Sequence, residues 1–301
     1  MNRSTRRRME RVRRKYAGSL LRDLTGGTGA IEGSAVVWQG PSMIDGSPIV
    51  VIITGMKPGS GSGNSKTGTM AQTYIIRSDM SPMEAIWSGL DYAICGVCWH
   101  RGVETDGPIS AHLDRSCYVT VGREIEASIW PSFNGNQYGN RYARITPGQA
   151  GLILGEHTTR WDSEISLRLG TYGDPAAVPM RVWNSMVRRV DRHTGYTHQW
   201  RMFRSRSAAM SKLLMASCET VQDFRDARAM GYRTFSAPID GRPPEPGEIT
   251  CPASAEAGYK TTCSSCKLCG GTSTAITKSI HIVLHGGLVG NATRHLDSVV
   301  V

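Results

Sequence analysis

At 301 residues the chain can form one large domain or two smaller ones, and a hydrophobic fraction of 40% with 34 glycines fits a loop-rich globular protein, not a fibrous or disordered one. No run approaches the roughly 18 apolar residues of a membrane span, and the basic start has no apolar signal core, so the expected setting is cytoplasmic (host cytoplasm if the chain is viral), with no membrane partner. The formal charge of +10 is uneven: residues 1–15 hold eight Lys or Arg against one acid.

In chain order, the first segment reads as a basic arm over residues 1–30, with residues 31–301 as a single α/β catalytic domain. Arg6, Arg7, Arg8, Arg11, Arg13, Arg14 and Lys15 suit phosphate neutralisation, because released counterions favour such binding. A solvated tail, or a helix with one charged face, is the competing reading. DNA is the expected partner and RNA the alternative, since phosphate contacts carry no sequence information.

Residues 35–54 read as two strands joined by a turn. The Gly/Ser stretch 57–70 contains Lys66, but Ser65 stands where a phosphate loop requires Gly. A flexible loop is expected there, in which Lys66 and backbone amides can meet a phosphate. "QTYIIR" (72–77) reads as a strand. Ser81, Pro82 and Glu84 then mark a helix start as N-cap, N1 and the N3 position of a capping box. That helix leads into "YAICGVCWHRG", where Cys95 and Cys98 form a C-x2-C pair, and on to Cys117 in "RSCYV". His100 and His112 lie between. Residues 131–150, rich in Asn, Gly and Tyr, read as a loop and a candidate boundary.

From about residue 165 strands and helices alternate. "SLRLGTY", "GYTHQW", "YRTFSAPI" and "KSIHIVLHGG" read as strands. Val182, Met186 and Val190 form a helical stripe, "SAAMSKLLMAS" reads as a helix running into a short strand, and Val221 to Met230 form a helix stopped by Gly231. Strand–helix–strand units imply parallel pairing with helices outside. The expected fold is therefore α/β: a barrel-like or partial (β/α) barrel with cysteine-rich metal-binding insertions and the basic arm, or else an open α/β sheet. In both, chemistry sits where strands end.

Three positions fit that rule. Asp174 follows a strand in a Gly/Pro turn, as a catalytic carboxylate or as a helix N-cap. Tyr196, His198 and Trp200 fall on one face of a short strand, where a histidine beside aromatics can stack on and hydrogen-bond a base, though a half-buried strand reads the same way. His281 and His285 share a face of the last strand, one a candidate ligand and one a candidate base.

Cys263, Cys266 and Cys269 form C-x2-C-x2-C, with Cys251 twelve residues upstream. Four thiolates satisfy tetrahedral zinc, and the run shares its first three positions with a [4Fe–4S] ferredoxin motif. His281 or His285 can replace one sulfur. Zinc is the expected metal and a [4Fe–4S] cluster the alternative; the competing reading is small buried cysteines or a redox pair. Cys95, Cys98 and Cys117 form a less specific second group. Cys218, at the end of an apolar run, reads as core.

The pieces "GNSKTG", "RSCY", "GYTHQW", "CPAS", "TTCSSCKLCGG" and "HGG" resemble, in order, a family of phage-encoded cysteine-rich proteins. Architecturally the chain also resembles the tRNA-guanine transglycosylase superfamily and its phage relatives that insert 7-deazaguanines into DNA. That resemblance implies a barrel, a late zinc site from Cys263, Cys266, Cys269 and His281 or His285, and Asp174 as nucleophile. The superfamily's run is C-x-C-x2-C, whereas this one is C-x2-C-x2-C with Cys251 added. The resulting expectation is a phage nucleic-acid-modifying enzyme, most concretely one exchanging guanine in DNA for a deazapurine base. A non-catalytic zinc-stabilised nucleic-acid-binding protein and an iron–sulfur redox or repair enzyme are the alternatives.

Overall fold

A computed structural model describes residues 30–56, 66–102, 115–135, 141–160, 166–190, 192–266, 268–272, 276–284 and 290–291. Within them the chain builds one ten-stranded sheet. The strands are β1 (Ala30–Pro41), β2 (Pro48–Thr54), β3 (Ala71–Arg77), β4 (Arg141–Arg144), β5 (Leu167–Tyr172), β6 (His193–Thr197), β7 (Met215–Cys218), β8 (Thr234–Ser236), β9 (Glu248–Thr250) and β10 (Ser279–His281). Their spatial order is β4-β1-β2-β3-β5-β6-β7-β8-β10-β9. β2 pairs antiparallel with β1 and β3, and every other neighbour is parallel.

The α/β class expected from the sequence is correct. A closed barrel is not: β4 and β9 are free edges of an open sheet among the described residues. The antiparallel β1–β3 start and the parallel β4 added at one end extend the sheet outward instead of returning it on itself.

β2, "PIVVIIT", is buried over Ile49–Ile53, as a strand covered on both faces must be. Helix α1 (Pro82–Trp87) begins as its sequence requires, with the Ser81 side chain accepting from the Glu84 backbone N–H at 3.2 Å. A four-residue helix, α2 (Tyr92–Cys95), follows it.

The 131–150 loop expectation fails. A π-helix (Val121–Ile129) runs into α3 (Trp130–Asn134), β4 pairs with β1, and α4 (Pro147–Arg160) begins. Thr146 and Gln149 cap α4 reciprocally: the Thr146 N–H donates to Gln149 Oε1 at 2.8 Å, and the Gln149 N–H to Thr146 Oγ1 at 3.2 Å. That T-x-x-Q box with Pro147 at N1 was a readable start signal. β4 was not readable, because its pairing with β1 spans about a hundred residues of sequence.

Helix α5 (Met180–Val187) buries Val182 and Met186 of the expected stripe, together with Trp183, but ends before Val190, and α6 (Ser207–Met210) leads into β7. Helix α7 (Val221–Ala229) carries a complete capping box between Thr220 and Asp223 and stops at Gly231, whose φ is +83°. Leu167, Leu169, Ala216 and Cys218 belong to a large core that also contains Trp183 and Ala227. Cys218 is 1% exposed, the core residue the sequence suggested. A second, smaller core joins Met215, Ile280 and Ile282 to Cys251 and Cys269. Among the described residues no helix is long and apolar enough to cross a membrane.

A candidate metal-binding cavity

Alternate residues of five parallel strands line one cavity of about 640 Å³: Arg168, Gly170 and Tyr172 from β5; Thr194, Tyr196 and His198 along β6; Ser217 and Glu219 along β7; Phe235 and Ala237 along β8; Ile280 and Ile282 along β10. The period of two places these side chains on a single face of the sheet. His198, Glu219, Ala237 and Ile282 each stand one residue beyond their strand's C-terminal end. The volume lies in the range of small-molecule sites.

Seven of the eight cysteines face this cavity: Cys95, Cys98, Cys117, Cys251, Cys263, Cys266 and Cys269. All eight are free thiols. Residues of both groups drawn from the sequence therefore line one cavity. Each group is close-knit electrically. Burial raises the Cys95 thiol far above its ordinary range, with the charges of Asp91, Cys98 and Cys117 adding to it. Burial also raises Cys251 and Cys263 and pushes Cys269 up to about 12, and each of these three feels Cys266. No three of the sulfurs lie within 4.8 Å of one another.

Each group is held by residues that sequence reasoning passed over. Gln199, fully buried after β6, straps the C-x2-C turn: its Nε2 donates to the Cys95 carbonyl at 2.8 Å, and its Oε1 accepts from the Val97 N–H at 3.1 Å. Gly96, at φ +51°, is required there, because a Cβ would overlap the Gln199 amide. On the opposite wall, the Cys263 N–H donates to the Lys66 carbonyl at 2.8 Å, and the Gly195 N–H to the Cys269 carbonyl at 3.3 Å. Lys66 itself lines the cavity.

Asp174 is a cap. Its Oδ1 accepts from the Ala176 N–H at 2.9 Å, and its Oδ2 from the His198 N–H at 2.8 Å and Gln199 Nε2 at 3.3 Å. Burial raises its pKa, against the pull of His198 and these donors. Its role on display is to fix the backbone from which His198 projects.

His198 Nε2 lies 2.7 Å from Glu219 Oε1, and His100 Nε2 lies 3.7 Å from the same oxygen. Burial alone would lower the His198 pKa, but the adjoining Cys98 and Glu219 carry it well above the ordinary value. Burial would raise Glu219, but His198 and His100 hold it down to about 2. Among the described residues these three are the set of metal-ligating side chains whose ligand atoms all lie within 4.8 Å of one another. Glu219 was missed from the sequence because β7 ends in an apolar run that carries no polar signature.

Other expected residues fall elsewhere. Tyr196 and His198 share the cavity face, but Trp200 is core, its Nε1 donating to the Ser217 carbonyl at 2.9 Å, because β6 ends at Thr197 and the alternation stops with it. His281 is 3% exposed with Nε2 at 2.9 Å from the Arg242 carbonyl, and it does not line the cavity. β10 ends at His281, so the longer strand and the shared His281–His285 face do not extend as expected. His112, His285 and the basic arm with Arg6, Arg7, Arg8, Arg11, Arg13, Arg14 and Lys15 lie outside the described residues.

No known protein family, curated protein or solved structure matches the chain.

Proposed function

We propose that the chain is a metal-dependent enzyme that modifies nucleic acid, with the cavity as its reaction chamber and a thiolate-held metal on the Cys251–Cys269 wall. One observation carries this reading: cysteines from segments more than 130 residues apart in sequence face a single cavity at the strand ends of a parallel sheet. Seven cysteines on one cavity with no disulfide between them are a concentration of ligand atoms that a thiolate-bound metal would use. Zinc is the metal we favour, with a [4Fe–4S] cluster as the alternative. The cavity face of the sheet would then be the inside of a partial barrel in a cytoplasmic, reducing setting.

A nucleotide is the substrate class that the lining favours. Tyr118 is 65% exposed and lines the cavity, offering a stacking surface, and Arg168 and Lys66 supply cations for phosphate. The phage setting and DNA as substrate rest on the sequence resemblance alone. Within this class, base exchange through a nucleophilic Asp174 draws little support, since both of its oxygens already accept hydrogen bonds. A metal-centred reaction draws more.

The test is elemental analysis and an absorbance spectrum on protein purified without oxygen. Zinc bound to a colourless protein, or about four irons in a brown one, is the expected result, and Cys263→Ser/Cys266→Ser is expected to lose that metal. A folded, metal-free protein that takes up neither overturns the proposal.

A non-catalytic zinc-stabilised nucleic-acid-binding protein is the second reading, favoured by the concentration of charge in residues 1–15. Removing those residues is expected to weaken binding to DNA of arbitrary sequence. The slope of log K against log salt should fall by roughly 0.9 for each Lys or Arg that touches phosphate. Identical slopes for the full and shortened chains would take the arm out of the interface.

A further inference from the structure

We infer that His100, His198 and Glu219 form a second metal site, separate from the cysteine wall, which takes one divalent first-row transition ion and leaves coordination positions open to the cavity. The inference shares the cavity with the function proposed above but none of the ligands at Cys251–Cys269.

Three observations support it. The first is the donor set. Two imidazoles and one carboxylate are the ligands of catalytic zinc and of non-haem iron(II), which keep other positions for water and substrate. The second is spacing. A tetrahedral ion with bonds of about 2.0–2.1 Å holds its donors about 3.3 Å apart. The two Nε2–Oε1 separations here, 2.7 and 3.7 Å, bracket that value. Moving His198 and Glu219 apart by about half an ångström would admit the ion.

The third is support behind the ligands. His100 Nδ1 lies 2.9 Å from Ser116 Oγ. With Nδ1–H donating to that hydroxyl, Nε2 becomes the free ligand atom, the arrangement that orients metal-bound histidines. The His198 backbone is pinned by Asp174, and Glu219 extends from β7, the strand beside β6. The ligand residues are 14%, 20% and 4% exposed in their side chains, so the ion would be shielded yet open to the cavity they line.

A bare His–Glu ion pair is the competing explanation for His198 and Glu219. It does not account for His100, which turns the same nitrogen toward the same oxygen from a segment about a hundred residues away.

The experiment uses chelator-stripped full-length protein under argon, titrated with Zn2+ and Co2+ and analysed for bound metal after desalting. Glu219→Gln and His198→Gln are each expected to bind about one equivalent less than the unmodified chain. Cys263→Ser/Cys266→Ser is expected to retain that equivalent. His100→Gln, in a stretch (97–102) with no fully buried residue, guards against a folding defect in the other two, and unfolding midpoints are recorded for all. In the Co2+ form of the cysteine variant, two exchangeable, hyperfine-shifted imidazole N–H resonances should appear and should vanish with His100→Gln. Unchanged stoichiometry in all three ligand variants, with the folded state intact, overturns the site. Loss of metal only in the cysteine variant would leave the proposed function standing while removing this inference.

Discussion

Replacing Asp91 with alanine will lower unfolding free energy by about 3–5 kcal/mol, the cost of removing one partner from a buried ion pair. The Asp91 side chain is 3% exposed, and it takes Arg101 Nε on Oδ1 at 2.7 Å and Arg115 Nη1 on Oδ2 at 2.9 Å. The two arginines are 9% and 7% exposed in their side chains. Without the carboxylate, two largely buried guanidiniums lose the counter-charge they share. Arg101 directly follows His100 and Arg115 stands two residues before Cys117, so the damage should reach the cavity. Denaturant unfolding monitors the first effect. Faster alkylation of Cys95, Cys98 and Cys117 under native conditions monitors the second. A loss below about 1 kcal/mol, the range of exposed pairs, would show that these charges are solvated and that the segment is held by something else.

Arg233→Met will release the other wall. Arg233 is 4% exposed, and its guanidinium donates to three carbonyls of the cysteine segment and its exit: Leu268 at 2.6 Å, Gly271 at 2.8 Å and Lys278 at 3.0 Å. Methionine keeps the apolar stem and leaves the acceptors bare. Each buried acceptor without a donor costs about 1–3 kcal/mol. Water entry relieves part of this, so a total near 2–4 kcal/mol is expected. The informative readout is local: affinity for the zinc we propose at Cys251–Cys269 should fall by more than tenfold, and Arg233→Lys should recover part of it. Unchanged affinity and stability would mean that the segment holds its shape without the arginine.

Much of the strand and helix pattern was legible because it depends on nearby residues. Ser81-Pro82-x-Glu84 announces α1, and the Val182–Met186 stripe announces α5, through contacts a few positions apart. The cysteine groups were legible for the same reason, since C-x2-C brings two sulfurs onto one turn. What could not be read depends on distant partners. β4 exists through pairing with β1, and β9, three residues leading into Cys251, exists through pairing with β10. That both cysteine groups face one cavity follows from the order of strands, which no local pattern encodes. Gln199, Glu219 and Arg233 look like ordinary polar residues in sequence; their importance comes from the carbonyls and imidazoles that the fold delivers to them. Asp174 was weighed as nucleophile and as cap, and the cap is what its hydrogen bonds describe.

The two walls of the cavity are also made at different times. A ribosome adding about 5–20 residues per second makes Cys95, Cys98 and Cys117 roughly 8–35 seconds before the Cys251–Cys269 turn is complete. Until β10 is finished, the edge it covers is open and the early thiols have no chamber around them. They are then at their most exposed to oxidants and stray metals, and their protection during that interval has to come from the reducing power of the surrounding fluid. The metal we propose for the Cys251–Cys269 wall could for the same reason load only after that turn has been made.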